Sequence, residues 1–123
     1  MKTALESLKN QLSGDLYDSD LVKSLYATDA SVYRELPFAV VIPKSENDIK
    51  LAIEFARSNA LSLIPRAAGT SLAGQCVGDG IIVDVSKYMT DILEINTQEN
   101  WVRVQPGVVR DQLNVFLSSF GYF

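Results

Sequence analysis

The first quarter of the chain has the periodicity of helices. Apolar residues recur there every three or four positions, at Leu5, Leu8 and Leu12. This spacing predicts a helix that ends before Gly14. Residues 18–26 predict a second, shorter helix. Its apolar side is formed by Leu21, Val22 and Leu25. The polar connector ATDASVYREL follows, so we predict a helical lead-in over residues 1–36.

Two short apolar runs enclose a helical stripe in the centre of the chain. Residues 38–42 predict a strand buried on both faces, and residues 61–64 predict a second strand. Ser45 is the predicted cap of the helix between them, with Asp48 three residues on as a weak capping box. The apolar stripe of this helix comprises Ile49, Ala52, Ile53 and Ala56. A strand, a helix and a strand in this order make the two strands parallel.

The last third of the chain predicts a strand, a hairpin and a helix. Residues 81–85 form a third apolar run. Apolar residues then alternate on either side of a polar TQEN turn, at Leu93, Ile95, Val102 and Val104. A helical stripe follows at Leu113, Phe116, Leu117 and Phe120. Gly121 stands where a helix-ending glycine belongs. This order of elements predicts an α+β fold with a parallel sheet.

Composition excludes several classes of function. A length of 123 residues suits one domain, and a net charge of −4 without a basic cluster argues against a nucleic-acid partner. One cysteine excludes an internal disulfide, and the lack of histidine argues against a transition-metal site. The amino terminus has scattered charges, and no apolar run approaches the roughly 20 residues of a membrane helix. We therefore predict no membrane span and a cytoplasmic location.

Residues 66–80 form a long loop of small residues between two predicted strands. It leaves the carboxyl end of a parallel strand, which is where open α/β sheets bind ligands. Glycine permits positive φ, so successive N–H groups can converge on an anion. The loop also carries donors that phosphate oxygens accept, on Arg66, Thr70 and Ser71. These features predict a phosphate-bearing ligand, and a long structural turn is the alternative.

Two common nucleotide motifs do not fit this loop. The spacing of residues 69–76 matches a Walker A loop, but Gln75 and Cys76 stand where lysine and a hydroxyl residue are needed. A Rossmann fingerprint opens a helix, whereas this loop leads into a strand. Structural roles are predicted for three further residues. They are Cys76 as a packed thiol, Asp84 as the cap of the next turn, and Trp101 in hairpin packing.

Three motifs follow one another in a recognisable order. They are VIPKSENDI at residues 41–49, RAAGTSLAG at residues 66–74 and VQPGV at residues 104–108. With these motifs, nearly the whole chain resembles FAD-linked oxidases of the vanillyl-alcohol-oxidase, or PCMH, type. The similarity is to the branch of D-lactate, glycolate and D-2-hydroxyglutarate dehydrogenases. The lead-in YATDASVYRELP, at residues 26–37, is similar to that of larger bacterial members.

The resemblance implies a site for FAD, with its pyrophosphate held along the small-residue loop by main-chain N–H groups. The implied contacts are Arg66, Ala67, Ala68, Gly69, Thr70, Ser71, Gly74, Gln75, Pro106 and Gly107. Because Ala67 and Ala68 stand where the family often has glycine, any positive φ is expected at Gly69. Relatives with covalent flavin have histidine at the position of Thr70, which implies non-covalent FAD here.

The resemblance also implies what lies outside this chain. Residues 37–123 correspond to an incomplete FAD-binding domain. It comprises a βαβ subdomain with a short parallel sheet flanked by helices, and the first hairpin and helix of a second subdomain. The intact parent is expected to oxidise small 2-hydroxy acids, with its catalytic residues in a missing C-terminal part. The alternative is a non-catalytic structural or assembly module without FAD. We expect the isolated chain to be inactive, to hold FAD weakly and to self-associate.

Overall fold

The computed structural model describes residues 1–122, which form four helices and six strands. The helices are α1 (Lys2–Gln11), α2 (Asp20–Leu25), α3 (Glu46–Ser58) and α4 (Arg110–Ser118). The strands are β1 (Asp15–Tyr17), β2 (Ala39–Ile42), β3 (Leu63–Arg66), β4 (Ile81–Asp84), β5 (Ile92–Asn96) and β6 (Trp101–Val104). No helix within residues 1–122 is both long and apolar enough to cross a bilayer. Phe123, the last residue of the predicted domain, lies outside the described residues.

Four strands form a mixed sheet in the order β1-β2-β4-β3. β2 and β3 both run parallel to β4, which lies between them, so the predicted parallel sheet is confirmed. Ile81 is in register with Ala39 on one side and with Leu63 on the other. β1 runs antiparallel to β2 and was not predicted. Its three residues are too few to show an alternation.

Both faces of the sheet are covered, as predicted for strands buried on both sides. β2 and β4 are buried along their whole length. One face packs beneath α1 and α3 in the larger core. The other face presents Val40, Ile42 and Ile82. Ile64 of β3 extends this face, and the side chains of Val22, Tyr26 and Tyr88 cover it.

Two predicted helical stripes are only partly buried. Leu21 and Leu25 of α2 are 74% and 67% exposed, so the predicted apolar side of this helix is wrong. The helix has six residues and reaches the sheet through Val22. In α3, Ile53 is 47% exposed and Phe55 packs against the core in its place. The line of contact between α3 and the sheet therefore runs along the Phe55 side of the predicted stripe.

Only half of the capping box at the start of α3 is confirmed. The Ser45 hydroxyl accepts a hydrogen bond from the Asp48 N–H at 3.2 Å, as predicted. The Asp48 carboxylate, however, accepts from the N–H groups of Ser13, Gly14 and Lys44, each at 2.9 Å. Burial by itself would raise the pKa of Asp48, but these hydrogen bonds outweigh it and lower the pKa. Asp48 thus ties the turn after α1 to the start of α3.

The predicted hairpin and final helix are confirmed. β5 and β6 pair antiparallel in a separate two-stranded sheet. Gly121 has φ +86°, and the Tyr122 N–H donates to the Leu117 carbonyl at 3.2 Å, which ends α4 in the manner expected of a C′ glycine. None of residues 110–118, all of them described, is buried.

Candidate functional site

The candidate site is the clasp loop, which we define as residues 66–76. Arg66 ends β3 and is in register with Asp84 at the end of β4, so the loop begins at the carboxyl edge of the parallel strands. The chain then returns to the opposite edge, where Ile81 pairs with Leu63. The clasp loop therefore lies at the edge of the sheet where the sequence predicts ligand binding.

The first part of this loop presents unused hydrogen-bond donors. Within the described part of the chain, the N–H groups of six successive residues, 67–72, donate to no other group of the protein. The first five belong to predicted contact residues, namely Ala67, Ala68, Gly69, Thr70 and Ser71. Since backbone N–H groups need an acceptor, these five are left to solvent or to a ligand. A row of such donors is suited to an anion.

Gly69 has the backbone conformation that only glycine adopts without strain. Its φ is +69°, whereas Ala67 and Ala68 do not have positive φ, which confirms the expected division between them. A Cβ atom on Gly69 would lie 2.5 Å from Nη2 of Arg66. The loop thus turns at Gly69 directly against the guanidinium group.

The charge of Arg66 is met by main-chain dipoles. Nη1 donates to the Thr28 carbonyl at 2.7 Å and to the Tyr26 carbonyl at 3.4 Å. The guanidinium carbon also lies 5.2 Å from the centre of the Tyr26 ring. Among residues 1–122, no carboxylate forms a salt bridge with Arg66. The Arg66 guanidinium therefore lies beside Gly69 without a salt-bridge partner among the described residues.

Two of the predicted contact residues support the shape of the loop. The Ser71 hydroxyl and the Cys76 thiol lie 3.0 Å apart in a hydrogen bond. The Gln75 side-chain oxygen accepts from the Ala73 N–H at 3.2 Å. Cys76 is a buried free thiol, in agreement with the packing role predicted for it. Gly74 provides a second positive φ, at +80°.

Pro106 and Gly107 form a turn that reaches the same edge of the sheet. The Gly107 N–H donates to the Met89 carbonyl at 2.8 Å, and a Cβ atom on Gly107 would overlap the Val85 carbonyl oxygen. The Val85 N–H in turn donates to the Arg66 carbonyl at 3.0 Å. Val85 therefore contacts the start of the clasp loop and this turn. Close approach of two main chains already requires glycine at position 107.

Sequence reasoning missed a hydrogen bond beside the site. The Tyr26 hydroxyl donates to the buried Asp84 carboxylate at 2.5 Å. Burial and this hydrogen bond raise the pKa of Tyr26. Asp84 also accepts from the N–H and hydroxyl of Ser86, so its predicted role as a turn cap is confirmed. The one signal that could have pointed to Tyr26 is its place in the lead-in motif.

Trp101 has the structural role that was predicted for it. Its indole N–H donates to the Glu99 carboxylate at 3.1 Å, and the Arg103 guanidinium lies 5.6 Å from its ring centre. Both partners belong to the hairpin, whose strands pair Trp101 with Asn96. The indole therefore packs within the hairpin.

Comparison with known proteins identifies the family to which this chain belongs. The profile of the family described as FAD binding domain matches residues 37–123. The D-2-hydroxyglutarate dehydrogenase of Pantoea ananatis is 46% identical over 98% of this chain, and the glycolate oxidase subunit GlcD of Bacillus subtilis is 32% identical over 92%. The chain spans only 12% and 25% of the lengths of these two relatives.

A solved structure supports the fold independently. Alkyldihydroxyacetonephosphate synthase superposes on 98% of this chain with a TM-score of 0.83 at 18% identity, and the match covers 25% of that chain. The predicted α+β fold of PCMH type is thereby confirmed. This chain belongs to the FAD-binding-domain family, and its cofactor is FAD.

Proposed function

We propose that this chain supplies the diphosphate-binding part of the FAD site in a dehydrogenase of small 2-hydroxy acids. The main support is the row of five N–H groups without a protein acceptor, backed by the Arg66 charge. A diphosphate presents anionic oxygens that accept hydrogen bonds from such donors. The D-2-hydroxyglutarate dehydrogenase and glycolate oxidase relatives support the substrate class.

The residues of this chain bind and orient the cofactor. When bound, FAD would accept the hydride that leaves the hydroxyl-bearing carbon of the substrate. Residues 66–71, Gly74 and Gln75 would hold the diphosphate, and the turn at Pro106 and Gly107, which Val85 links to Arg66, would supply further contacts with the cofactor. We assign the positioning of the substrate to a part of the parent protein outside this segment, which matches 12% of its dehydrogenase relative. That part is the chain's partner at the FAD site.

The chemistry of the clasp loop also supports non-covalent attachment of FAD. Thr70 has no ring nitrogen, so it cannot form the histidyl bond by which some flavoproteins hold FAD. We also assign the parent to the cytoplasm, a compartment in which a lone buried thiol such as that of Cys76 stays reduced. We also propose a division of the chain in which residues 1–36 are the helical lead-in and residues 37–123 belong to the FAD-binding domain.

Flavin content and turnover of the full-length protein that contains this segment test the proposal. We expect a yellow protein that releases all its FAD to the supernatant on acid precipitation. It should reduce an artificial dye with D-2-hydroxyglutarate, D-lactate or glycolate, and the L-enantiomers of the chiral acids serve as controls. A protein without flavin that reduces no dye would instead support the non-catalytic module. Colour that stays in the pellet would contradict non-covalent attachment.

A further inference from the structure

A second segment of the chain, far from the clasp loop in sequence, lies against it. We name residues 26–33 the supporting segment. Arg66, at the start of the clasp loop, donates to the Thr28 carbonyl at 2.7 Å. Near the other end, the Cys76 N–H donates to the Asp29 carboxylate in a long hydrogen bond of 3.4 Å. Between these contacts, a Cβ atom on Gly74 would lie 2.8 Å from the Tyr33 ring.

The supporting segment has its own internal hydrogen bonds and an anchor on the sheet. The Ser31 N–H donates to the Asp29 carboxylate at 2.8 Å, and the Tyr33 N–H donates to the Ser31 hydroxyl at 3.1 Å. Just after the segment, the Glu35 N–H donates back to the Ala27 carbonyl at 2.9 Å. Tyr26 anchors it through the 2.5 Å hydrogen bond to Asp84 at the carboxyl end of β4. The segment is therefore held in place by contacts that do not involve the clasp loop.

The clasp loop, by contrast, has few internal hydrogen bonds within the described residues, chiefly that of the Ser71 hydroxyl with the Cys76 thiol and that of the Ala73 N–H with the Gln75 side chain. The five N–H groups proposed to bind the diphosphate contribute no hydrogen bond to the protein within the described residues. If nothing held residues 67–71 in place, ordering them would weaken every binding event. The contacts of the supporting segment with Arg66, Gly74 and Cys76 limit this freedom, together with the hydrogen bond between Ser71 and Cys76.

We propose that the supporting segment is part of the FAD site, with Tyr26 and Tyr33 as positioning residues that hold the clasp loop ready for the diphosphate. This role rests on the proposed function, because it presumes that the clasp loop binds FAD. Family membership does not assign it, since the family profile matches only residues 37–123. Neither tyrosine needs to touch FAD, because both act through the loop.

The test compares two matched tyrosine variants of the full-length protein. Y26F removes the hydroxyl that donates to Asp84 but keeps the ring beneath Arg66. Y88F is the control, since Tyr88 covers the same apolar face and donates to Asp15 at 2.8 Å. Asp15 belongs to β1, at the edge of the sheet opposite β3. The dissociation constant of FAD from the apoprotein should rise about tenfold in Y26F and stay within about twofold of wild type in Y88F.

Two further readouts separate positioning from a general loss of structure. Both variants should remain folded as apoproteins at the assay temperature, with Y26F unfolding at a lower temperature than Y88F because the buried Asp84 carboxylate loses one donor. At saturating FAD, Y26F should recover the turnover number and substrate KM of the wild type, because only cofactor binding is weakened. Turnover that stays low at saturating FAD would overturn the positioning role of Tyr26. Equal FAD affinity in wild type, Y26F and Y88F would do the same.

An exposed pair keeps the test decisive if Y26F does not fold. Tyr33 is largely exposed and Val32 is 95% exposed, so neither Y33A nor V32A should affect folding. Y33A removes the ring beside Gly74 and should weaken FAD binding several-fold, whereas V32A should not. Equal affinities would overturn the inference. If the wild-type protein binds no FAD, both the proposed function and this inference are overturned. If the wild type binds FAD and Y26F and Y33A bind it with the same affinity, only this inference is overturned.

Discussion

Two regions of this chain each contain an amphipathic helix, but their side chains are buried to very different extents. In the sheet region, formed by the four-stranded sheet with α1 and α3, β2 and β4 are wholly buried. In the hairpin region, formed by β5, β6 and α4, the helix has no buried residue among the nine described. Each region has an amphipathic helix, but α3 buries Ala52 and Ala56 against the sheet, whereas α4 buries none of its residues. Periodicity therefore tells which side chains share a face, but it does not tell whether anything covers that face.

The difference bears on the candidate site. The clasp loop starts from the sheet region and rests on it, and the hairpin region reaches the same edge through the turn at Gly107. A loop that must present its N–H groups in a fixed array needs a stiff support, which densely packed strands provide. We therefore expect stability and cofactor binding to depend on different sets of residues in the two regions.

The largest expected change in the free energy of unfolding compares a buried residue of the sheet region with an exposed residue of the hairpin region. Ile81 is fully buried between β2 and β3, whereas Val115 on α4 is 74% exposed. I81A should lower the free energy of unfolding by about 2–5 kcal/mol through lost contacts and a cavity. V115A should change it by no more than about 0.5 kcal/mol. Urea unfolding of the two variants at low protein concentration measures both values, and similar losses would contradict the contrast between the regions.

The next effect tests the carboxylate that joins α1 to α3. D48N should lower the free energy of unfolding by about 3 kcal/mol at pH 7, because the amide cannot satisfy three N–H donors. Since folding lowers the pKa of Asp48, its stabilisation is complete above the unfolded value of about 3.9 and is lost as pH falls through the lower folded value. Urea unfolding from pH 7 to pH 3 should show the difference from wild type shrinking below about pH 4.

Glu46, an exposed acid in the first turn of the same helix, provides the control. E46Q should stay within about 0.5 kcal/mol of wild type. A difference between D48N and wild type that grows as the pH falls would contradict the sign of the pKa change.

Most of the fold could be predicted because its elements carry strong periodic signals. The buried run at residues 38–42 and the alternation around the TQEN turn lead directly to β2 and to the hairpin. β1 escaped prediction because it has three residues, of which only Leu16 is buried. The exposure of Leu21 could not be predicted either, because the pattern of a six-residue helix does not fix which face meets the sheet.

Of the candidate site, only the clasp loop could be predicted from the sequence, and the contacts that support it could not. Small residues and a position after a strand point to residues 66–71, and these signals are local. The contact of Arg66 with the Thr28 carbonyl joins residues 38 positions apart and uses a main-chain acceptor, so it leaves no trace in residue types. The hydrogen bond between Tyr26 and Asp84 spans 58 positions. Such contacts follow from topology, which one sequence pattern does not reveal.

A third prediction compares one glycine from each region. Gly69 and Gly121 both have positive φ, so valine should strain both backbones by about 1–2 kcal/mol. Gly69 also contacts the Arg66 guanidinium, whereas a Cβ on Gly121 would meet no described atom within 4 Å. We expect G69V to reduce the FAD content of the purified full-length protein at least about tenfold. G121V should keep its FAD.

The G121V control shows whether backbone strain alone releases the cofactor. FAD loss of the same size in both variants would mean that reduced stability, and not the clasp loop, controls flavin content. Full FAD occupancy in a folded G69V protein would remove the clasp loop from the cofactor site.

The smallest expected effect concerns self-association of the 123-residue chain. Val115 and Phe116 on α4 and Phe120 in the turn after it are exposed, with the two rings 5.3 Å apart. The two-stranded sheet has open edges. Apolar patches and open strand edges of this kind favour association between copies.

Val115 and Leu21 are equally exposed at 74%, but Leu21 lies on α2 in the better covered part of the chain. Light scattering should show dimers or larger species of the wild type. Burial of a valine side chain contributes on the order of 1 kcal/mol, so V115S should raise the dissociation constant about fivefold, while L21S leaves it unchanged. A monomeric wild type, or equal effects of the two substitutions, would show that the exposed face of the hairpin region does not drive association.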